Sequence, residues 1–311
     1  MRVLAQAVEL KPSGRKVCVA IGVFDGVHLG HQQVIRQAVA DAEKQEALAV
    51  VVTFDRHPKA VVAPEKTPPF IYGIPQRLRA IGSLGVDATW LIPFDRPFSL
   101  LSAEVFIQNL VRDFRRVYSI SVGGNFTFGH ERGGNVELLR RLGGHYSFLV
   151  RGLAEVSLDG AVVSSTRIRA ALRAGDFPAA SQMLGREYSL GGPVVRGDGL
   201  GRKLGFPTAN LEVTGLVLPP NGVYAVHVSL GSTRHRAVLN LGLRPTLRDP
   251  APQLRVETHL LDFEGDLYDR DLDLTFVGRL RDEARFPSLE ALRAQIEQDI
   301  LQARELFDVA V

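Results

Sequence analysis

Cysteine is almost absent from this chain of 311 residues, in which Cys18 is the only one. A single cysteine excludes an intrachain disulfide and a metal site built from several thiolates. No apolar run reaches the roughly 18 residues that a membrane-spanning helix needs. The first residues also lack the charged and apolar regions of a signal peptide. These absences favour a cytoplasmic protein with no membrane partner.

An excess of charge of one sign is lacking as well. The 37 Lys and Arg residues nearly balance the 34 Asp and Glu residues, for a net charge of +3. Like charges form no block and basic residues do not alternate with aromatic ones, so the sequence predicts no nucleic-acid surface. No feature implies a protein partner. The length leaves room for about two domains.

The first half of the chain is organised around a glycine-rich turn from Gly22 to His31. An apolar segment from Val17 to Ile21 precedes it, and a helical pattern from Gln32 to Gln45 follows. A second apolar segment, from Leu48 to Thr53, completes the order strand, turn, helix, strand that is typical of a βαβ unit. Because such units bind ligands at the carboxyl ends of their strands, the turn predicts an anion site at the start of the helix.

Three glycines and two histidines indicate how this turn would bind phosphate. Gly22, Gly26 and Gly30 let the backbone approach an anion closely. His28 and His31 lie three residues apart, so one helical turn directs both rings to the same place. Two histidines are too few ligands for zinc, and the turn matches neither the dinucleotide fingerprint nor a Walker loop. Stabilising a transferring phosphoryl group fits better, although an ordinary turn would carry the same glycines.

Polar residues also follow other predicted strands of the first half. His57 comes after the second strand and before a proline, where it is either directed at the same crevice or solvated. Asn125 lies in a glycine-rich stretch after the strand predicted from Val117 to Val122. Its amide suits a ligand or a hydrated metal, and a plain turn is the alternative.

A second phosphate-binding helix start is predicted near Ser165 and Thr166, whose hydroxyl groups suit a helix cap. Arg167 adds a planar fork of donors that matches phosphate oxygens. Arg169 would face away from Arg167 on a helix. A capped surface helix is the alternative.

Composition changes near Leu184, after which short alternating segments predict a small closed β-barrel. We therefore predict one domain over residues 1–184, with a parallel sheet and helices, and a second over residues 185–311. Ser288 would cap a last helix, whose apolar stripe from Leu289 to Phe307 predicts packing on the barrel.

The barrel half contains a glycine-rich run that leads to two oxygen-bearing side chains. Gly201 and Gly205 would make a loop able to cover phosphates. Thr208 and Asn210 are two residues apart, so on an extended segment both face one way and suit Mg²⁺. Glu257 interrupts an apolar strand and is either a solvated carboxylate or a catalytic base.

These motifs together resemble the bacterial bifunctional riboflavin kinase/FAD synthetases over nearly the whole chain. The stretch from Gly22 to His31 is similar to the start of that family, and its His-x-Gly-His resembles the signature of nucleotidyltransferases that use ATP. A Ser-x-Ser/Thr-x-x-Arg motif near Ser164 resembles the partner of that signature. The run from Gly201 to Asn210 looks like the riboflavin kinase motif. Further similar segments are Leu218 to Tyr224, Asn240 to Thr246, Glu257 to Phe263, Arg281 to Glu283, and Phe286.

The resemblance implies an α/β fold, with a Rossmann-like FMN adenylyltransferase domain over residues 1–184 and a riboflavin kinase barrel with a C-terminal helix over residues 185–311. ATP would phosphorylate riboflavin to FMN and then adenylylate FMN to FAD with release of pyrophosphate, and Mg²⁺ would be the cofactor. The implied catalytic residues are Glu257, His28, His31, Asn125 and Arg167. The implied ATP-binding residues are Gly22, Phe24, Asp25, Gly26, Gly30, Ser165, Thr166, Gly201 and Gly205. The implied flavin-binding residues are Arg281, Glu283 and Phe286, and the implied metal ligands are Thr208 and Asn210.

Two positions depart from the family pattern, and other functions stay open. Arg56 replaces a usual proline, and Asp269 replaces a glycine that adopts positive φ more easily. One alternative keeps a single activity and uses the other domain as a flavin sensor. A flavin-binding regulator would not need Glu257. An enzyme that charges transfer RNA would share His-x-Gly-His, but the chain has no Lys-Met-Ser-Lys-Ser-like run and no basic anticodon-binding domain.

Overall fold

In the computed structural model, residues 1–10, 14–244 and 253–309 are described. Their contacts divide the chain into two compact units. The first comprises Met1–Ile168 with Met183–Gly185, and the second comprises Arg169–Gln182 with Arg186–Val311. No helix in these described ranges is both long enough and apolar enough to cross a membrane. Pro245 and Thr246, at the end of one family-like segment, lie outside the described residues.

The first unit is built on a parallel sheet of six strands. They are β1 (Arg2–Leu4), β2 (Val17–Ile21), β3 (Leu48–Phe54), β4 (Ala88–Ile92), β5 (Val117–Gly123) and β6 (Leu149–Leu153). Their spatial order is β1-β4-β3-β2-β5-β6, and every neighbouring pair is parallel. The order of the sheet reverses between β2 and β5. In open sheets of this kind, ligands bind outside the carboxyl ends of the strands at such a reversal.

Helices connect the strands and cover the sheet. They are α1 (Leu29–Lys44), α2 (Lys59–Val62), α3 (Ile74–Gly82), α4 (Arg96–Ser99), α5 (Ala103–Phe114) and α6 (Val136–Tyr146). A hairpin of β7 (Ser157–Leu158) and β8 (Ala161–Val162) precedes α7 (Ser165–Ala174) and α8 (Phe177–Leu184). Every residue of β2 is buried, which explains its uninterrupted apolar sequence. The predicted α/β fold is confirmed.

The helix after the glycine-rich turn begins earlier than predicted, at Leu29 instead of Gln32. His28 is the cause, because its backbone is extended and its ring nitrogen accepts a hydrogen bond from the His31 N–H. Histidine is not among the usual N-cap residues, so sequence rules miss this start. Ser102 is a more usual cap, and at the start of α5 its hydroxyl accepts from the Val105 N–H at 3.2 Å.

The second unit contains a closed antiparallel barrel of six strands. They are β9 (Ser189–Val195), β10 (Ala209–Leu211), β11 (Gly222–Leu230), β12 (Thr233–Arg244), β13 (Gln253–Leu260) and β14 (Asp271–Arg281). The order around the barrel is β10-β13-β12-β11-β14-β9. The short helix α9 (Leu200–Leu204) joins β9 to β10, and α10 (Leu289–Val309) follows the last strand. The predicted barrel and C-terminal helix are confirmed.

Two helices pack against the barrel. Phe177 of α8 stacks on Phe276 with ring centroids 4.3 Å apart, so α8 contributes to the barrel core. Ala303 and Phe307 of α10 are buried against the outside of the barrel. Leu289, at the start of the predicted apolar stripe, is 55% exposed, so the stripe does not pack along its whole length as predicted. Ser288 caps α10 as predicted, by accepting from the Ala291 N–H at 3.2 Å.

Candidate active sites

The loop between β2 and α1 has an unusual backbone. Phe24 and Val27 adopt positive φ angles of 51° and 43°, and Gly26 lies between them at 76°. Such angles are rare for residues with a side chain, and rarer for β-branched valine, so the surrounding contacts must impose them. The buried Asp25 carboxylate is one such contact, because its Oδ1 accepts from the Ile71 N–H at 2.9 Å. The loop is therefore held rigidly at the carboxyl end of the central strand.

The glycines of this loop differ in what they offer a ligand. The Gly22 N–H donates to the Val52 carbonyl at 3.1 Å, so it is already engaged in the sheet. A Cβ on Gly30 would lie 3.3 Å from the His28 ring, so glycine leaves space for that ring. Gly26 is needed for its positive φ.

His28 and His31 form a stacked pair at the start of α1. Their ring centroids are 3.6 Å apart at an interplanar angle of 21°. The edge-to-face contact between His31 and Phe24, at 5.4 Å, supports the pair from one side. The His28 ring is buried, with 7% of the residue exposed, and it caps the helix. Both rings therefore have defined orientations, as a site that stabilises developing charge requires.

Asn125 lies directly after β5, across the sheet reversal from the histidine pair. Its Nδ2 donates to Oε1 of Glu155 at 2.8 Å. Glu155 follows β6, so the carboxyl ends of three neighbouring strands all carry polar groups. Sequence reasoning missed Glu155, because the strand that precedes it, β6, was not predicted.

The start of α7 joins the glycine-rich loop. Ser164 caps the helix by accepting from the Arg167 N–H at 3.3 Å. The Ser165 hydroxyl instead donates to the Asp25 carbonyl at 3.1 Å. Thr166 is exposed in the first turn. The two predicted phosphate-binding segments are thus brought into direct contact.

The two arginines of this segment have different surroundings. The Arg167 Nη1 donates to the carbonyls of Ala161 at 2.7 Å and Val162 at 3.1 Å, which ties the β7–β8 hairpin to α7. Arg169 is buried, with 7% of the residue exposed. Counted from Ser164, the Ser-x-Ser/Thr-x-x-Arg spacing ends at Arg169 and not at Arg167. The family-like spacing therefore indicates Arg169, and the role of Arg167 stays a prediction.

A fully buried arginine supports the loops at the carboxyl ends of β2 and β3. The Arg77 Nη1 donates to the Val23 carbonyl at 3.2 Å, and its Nη2 donates to the Phe54 carbonyl. Burial lowers the pKa of the Arg77 guanidinium, while the carboxylates of Asp25 and Asp55 act in the opposite direction. Sequence reasoning missed Arg77, since an arginine in a helix carries no signal that it is buried.

In the barrel, three polar residues lie side by side on neighbouring strands. Glu257 on β13 pairs with Asn210 on β10 and with Asn240 on β12. Paired residues point to the same face and have Cβ atoms about 4.5 to 5.5 Å apart. Arg255, two residues along the same strand, lies 2.9 Å from Asp198 and 3.6 Å from Glu257. The Glu257 side chain is 27% exposed.

The glycine-rich run packs against the predicted metal ligands. A Cβ on Gly197 would lie 2.3 Å from the Asn210 Nδ2, and a Cβ on Gly201 would lie 3.1 Å from the Thr208 Oγ1. Gly205, with a φ of 94°, ends α9 in the left-handed conformation. In the described part of the chain, no three His, Cys, Asp or Glu residues are grouped for a metal. The hydroxyl and amide oxygens of Thr208 and Asn210 are the hard donors that fit Mg²⁺ held together with phosphate.

A cavity of about 350 Å³ opens beside Thr208. Its apolar lining includes Val194, Ala209, Leu260, Phe263 and Leu267, and its polar lining includes Arg202, Thr208, Thr258 and Tyr268. A mostly apolar cavity with a few polar groups is typical of a small-molecule site.

The three predicted flavin-binding residues lie where β14 leads towards α10. Arg281 makes two hydrogen bonds of 2.7 Å to the buried Asp299 carboxylate, and its guanidinium lies 5.6 Å from the Phe286 ring centroid. Glu283 accepts from the Asn221 amide at 3.3 Å. Arg281 therefore fixes α10 to the barrel.

The two positions that depart from the family pattern have defined conformations or contacts. Asp269 adopts a φ of 61°, the conformation that a glycine would take. Its N–H donates to the Val194 carbonyl at 3.1 Å. Arg56 is exposed and forms an ion pair with Asp55 at 3.0 Å.

Comparisons with known proteins match both halves of the chain. The model of the FAD synthetase family matches residues 10–167, and that of the riboflavin kinase family matches residues 184–307. A Pseudomonas fluorescens protein named bifunctional riboflavin kinase/FMN adenylyltransferase is 38% identical over 297 residues, covering 96% of this chain and 95% of its own. An Escherichia coli protein of the same name is 37% identical over 309 residues, covering 99% and 98%. A Streptococcus pneumoniae crystal structure described as a macrolide-efflux protein has a TM-score of 0.79 and 28% identity, covering 98% of this chain and 99% of its own.

Proposed function

The chain belongs to the family of bifunctional riboflavin kinases/FMN adenylyltransferases, and we propose that each of its two units carries one of the two activities. The enzyme phosphorylates riboflavin with ATP to FMN and adenylylates FMN with ATP to FAD. The observation that carries the proposed division is the separation of two polar sites. One lies at the sheet reversal of the first unit, and the other lies on the barrel of the second.

We assign adenylyl transfer to the carboxyl ends of β2 and β5. The FMN phosphate attacks the α-phosphorus of ATP, and pyrophosphate leaves. His28, His31 and Asn125 stabilise the charge that develops on the transferring group. Arg167 would stabilise the same charge, and the bonds of its Nη1 to the hairpin carbonyls would hold it in position.

We assign the kinase reaction to the polar row on the barrel. Glu257 accepts the proton of the terminal ribityl hydroxyl as that oxygen attacks the γ-phosphorus of ATP, and ADP leaves. Thr208 and Asn210 would hold Mg²⁺, which supplies neutralisation of the phosphate charge. Thr208 and Asn210 lie against the glycine-rich run. This supports the proposal that the loop with Gly201 and Gly205 covers the phosphates. The need for ATP supports a cytoplasmic location.

The two-activity assignment has a direct test. Purified full-length protein is incubated with riboflavin, ATP and Mg²⁺, and the flavins are separated by chromatography. FMN should accumulate first and FAD afterwards. FMN without FAD would instead support the alternative in which the first unit is a flavin sensor.

Thr208→Ala and Asn210→Ala are expected to raise the Mg²⁺ concentration needed for half-maximal kinase rate. Loss of a group that orients a metal ligand lowers metal affinity by about 10- to 100-fold. Loss of an oxygen ligand itself should lower it at least as much. The measurement is an Mg²⁺ titration of FMN formation at fixed ATP. Thr214→Ala, at an exposed threonine away from this row, is the matched control. Unchanged titrations for both variants would refute the ligand assignment.

Separated fragments are expected to retain separate activities. A fragment of residues 1–184 should form FAD from FMN and should not phosphorylate riboflavin, because α7 and its contact with Asp25 are retained. Two kinase fragments, 185–311 and 169–311, test the predicted boundary. The longer one should melt at a higher temperature, because only it keeps Phe177 on the barrel core.

Circular dichroism and flavin chromatography measure folding and activity of each fragment. If folded fragments show neither activity, the sites are not divided as proposed. If both kinase fragments melt at the same temperature, α8 adds nothing to the barrel and the boundary at Leu184 is preferred.

A further inference from the structure

The histidine of the Glu-Thr-His sequence on β13 has no role in the assignments above. His259 lies two residues after Glu257, so the two side chains leave the strand on the same face. Its Nδ1 lies 2.8 Å from the Pro207 carbonyl oxygen, and its ring meets the Phe206 ring edge to face, with centroids 5.7 Å apart. His259 therefore contacts the two residues that come directly before Thr208, the proposed metal ligand.

The hydrogen bond to Pro207 defines the state of the imidazole and restrains the backbone. A carbonyl oxygen only accepts, so the Nδ1 of His259 carries the hydrogen that it donates. The Pro207 carbonyl belongs to the planar peptide group that ends at the Thr208 nitrogen. Proline fixes its own φ angle and restricts the residue before it, so few other torsions remain in this segment. Holding the peptide plane therefore limits how the Thr208 hydroxyl can turn.

Thr208 needs such a restraint because it precedes the regular strand. β10 begins at Ala209, whose partner on β13 is Thr258. In antiparallel pairing the next position on β13 is that of His259, so its side chain acts where the ladder of β10 ends. The Phe206 N–H donates to the Gly201 carbonyl at 2.8 Å, which joins the same segment to the glycine-rich run.

We propose that His259 is a positioning residue of the kinase reaction, whose Nδ1–H holds the peptide group before Thr208 so that the Thr208 hydroxyl is oriented to bind Mg²⁺. The proposal rests on the assignment of Thr208 as a metal ligand. A group that orients a metal ligand contributes about 10- to 100-fold in metal affinity or activity. The imidazole takes no part in the proton transfer, which is assigned to Glu257.

Three variants of the full-length enzyme separate the hydrogen bond from the ring. His259→Asn places an amide N–H near the position of Nδ1 but has no ring. His259→Leu has nearly the shape of the asparagine variant and cannot donate. His259→Phe keeps a ring against Phe206 and cannot donate. The control is His227→Leu, which removes a histidine that lies beside Arg234 on β11.

The first measurement is the Mg²⁺ titration of FMN formation at saturating riboflavin. His259→Leu and His259→Phe should need about 10- to 100-fold more Mg²⁺ for half-maximal rate. His259→Asn and His227→Leu should stay close to the wild type. At saturating Mg²⁺ the kcat of all four variants should approach that of the wild type, because excess metal fills the weakened site.

The second measurement does not depend on turnover. ADP binding is measured by calorimetry with and without Mg²⁺, because ADP is a product of the kinase reaction, whereas adenylyl transfer releases pyrophosphate. The gain in ADP affinity on adding Mg²⁺ should fall in His259→Leu and His259→Phe and should persist in His259→Asn. The first unit has the same sequence in every variant, so a difference between variants arises in the second.

Three results would overturn the inference. Equal impairment of His259→Asn and His259→Leu would show that the ring matters and the N–H does not. A loss of rate in His259→Leu that Mg²⁺ does not restore would indicate a structural role or a role in proton transfer. Wild-type titrations for both His259→Leu and His259→Phe would show that the bond to Pro207 does not affect the metal.

Thr208→Ala, assayed in parallel, separates failure of this inference from failure of the proposed metal site. If Thr208→Ala raises the Mg²⁺ requirement while His259→Leu and His259→Phe do not, only the role of His259 is wrong. If none of the three variants changes the requirement, the assignment of Thr208 as a ligand is wrong as well.

Discussion

Glu257→Gln is expected to lower the kinase kcat by about 10²- to 10⁴-fold, the range that a general base contributes. Glutamine keeps the shape of the side chain between Asn210 and Asn240 but cannot accept the hydroxyl proton. The fold should survive, since Arg255 retains its nearer partner Asp198 at 2.9 Å. The measurement is the rate of FMN formation from riboflavin at saturating ATP.

The same variant contains its own control. FAD formation from supplied FMN should stay close to the wild-type rate, because that reaction is assigned to the other unit. Glu297→Gln removes an exposed carboxylate on α10 and should leave both rates unchanged. A Glu257→Gln enzyme that phosphorylates riboflavin at the wild-type rate would show that another group accepts the proton. Loss of both activities would indicate misfolding.

The elements of this fold follow from local patterns, while the neighbours of each site residue do not. Apolar patterns and caps place β2, α1 and the C-terminal helix, because burial imposes a period of 3.6 on a surface helix and an uninterrupted apolar run on a fully buried strand. The row of Asn210, Glu257 and Asn240 depends on the register of β13 against two other strands. Sequence alone indicates Glu257 and the Thr-x-Asn pair, but no local rule places Asn240 beside them.

Sequence patterns do not indicate Arg77 or Glu155, and the physical reason is the same for both. Arg77 acts through two backbone carbonyls that are far apart in the chain, those of Val23 and Phe54. Glu155 acts through the Asn125 amide on a neighbouring strand. Contacts of this kind are set by tertiary structure, so patterns of residue type do not reveal them. A local rule does apply at Asp269. It adopts a positive φ, and aspartate tolerates that region better than most residues with a side chain.

His31→Ala is expected to slow FAD formation by roughly 10²-fold or more, the usual cost of losing one preorganised donor at a reacting centre. FMN formation should be unaffected. The alanine variant also removes an aromatic ring that contacts His28 and Phe24, so loss of packing alone would give a similar result.

His31→Phe separates the two explanations. Phenylalanine keeps a ring that stacks on His28 and contacts Phe24 but has no nitrogen to donate a hydrogen bond. If the imidazole stabilises the transferring group, both variants should lose FAD formation to a similar extent while the melting temperature of His31→Phe stays near that of the wild type. His145→Ala, at an exposed histidine on α6, should change neither rate. Full FAD formation by His31→Phe would show that the ring supports the strained loop after β2 and takes no part in the chemistry.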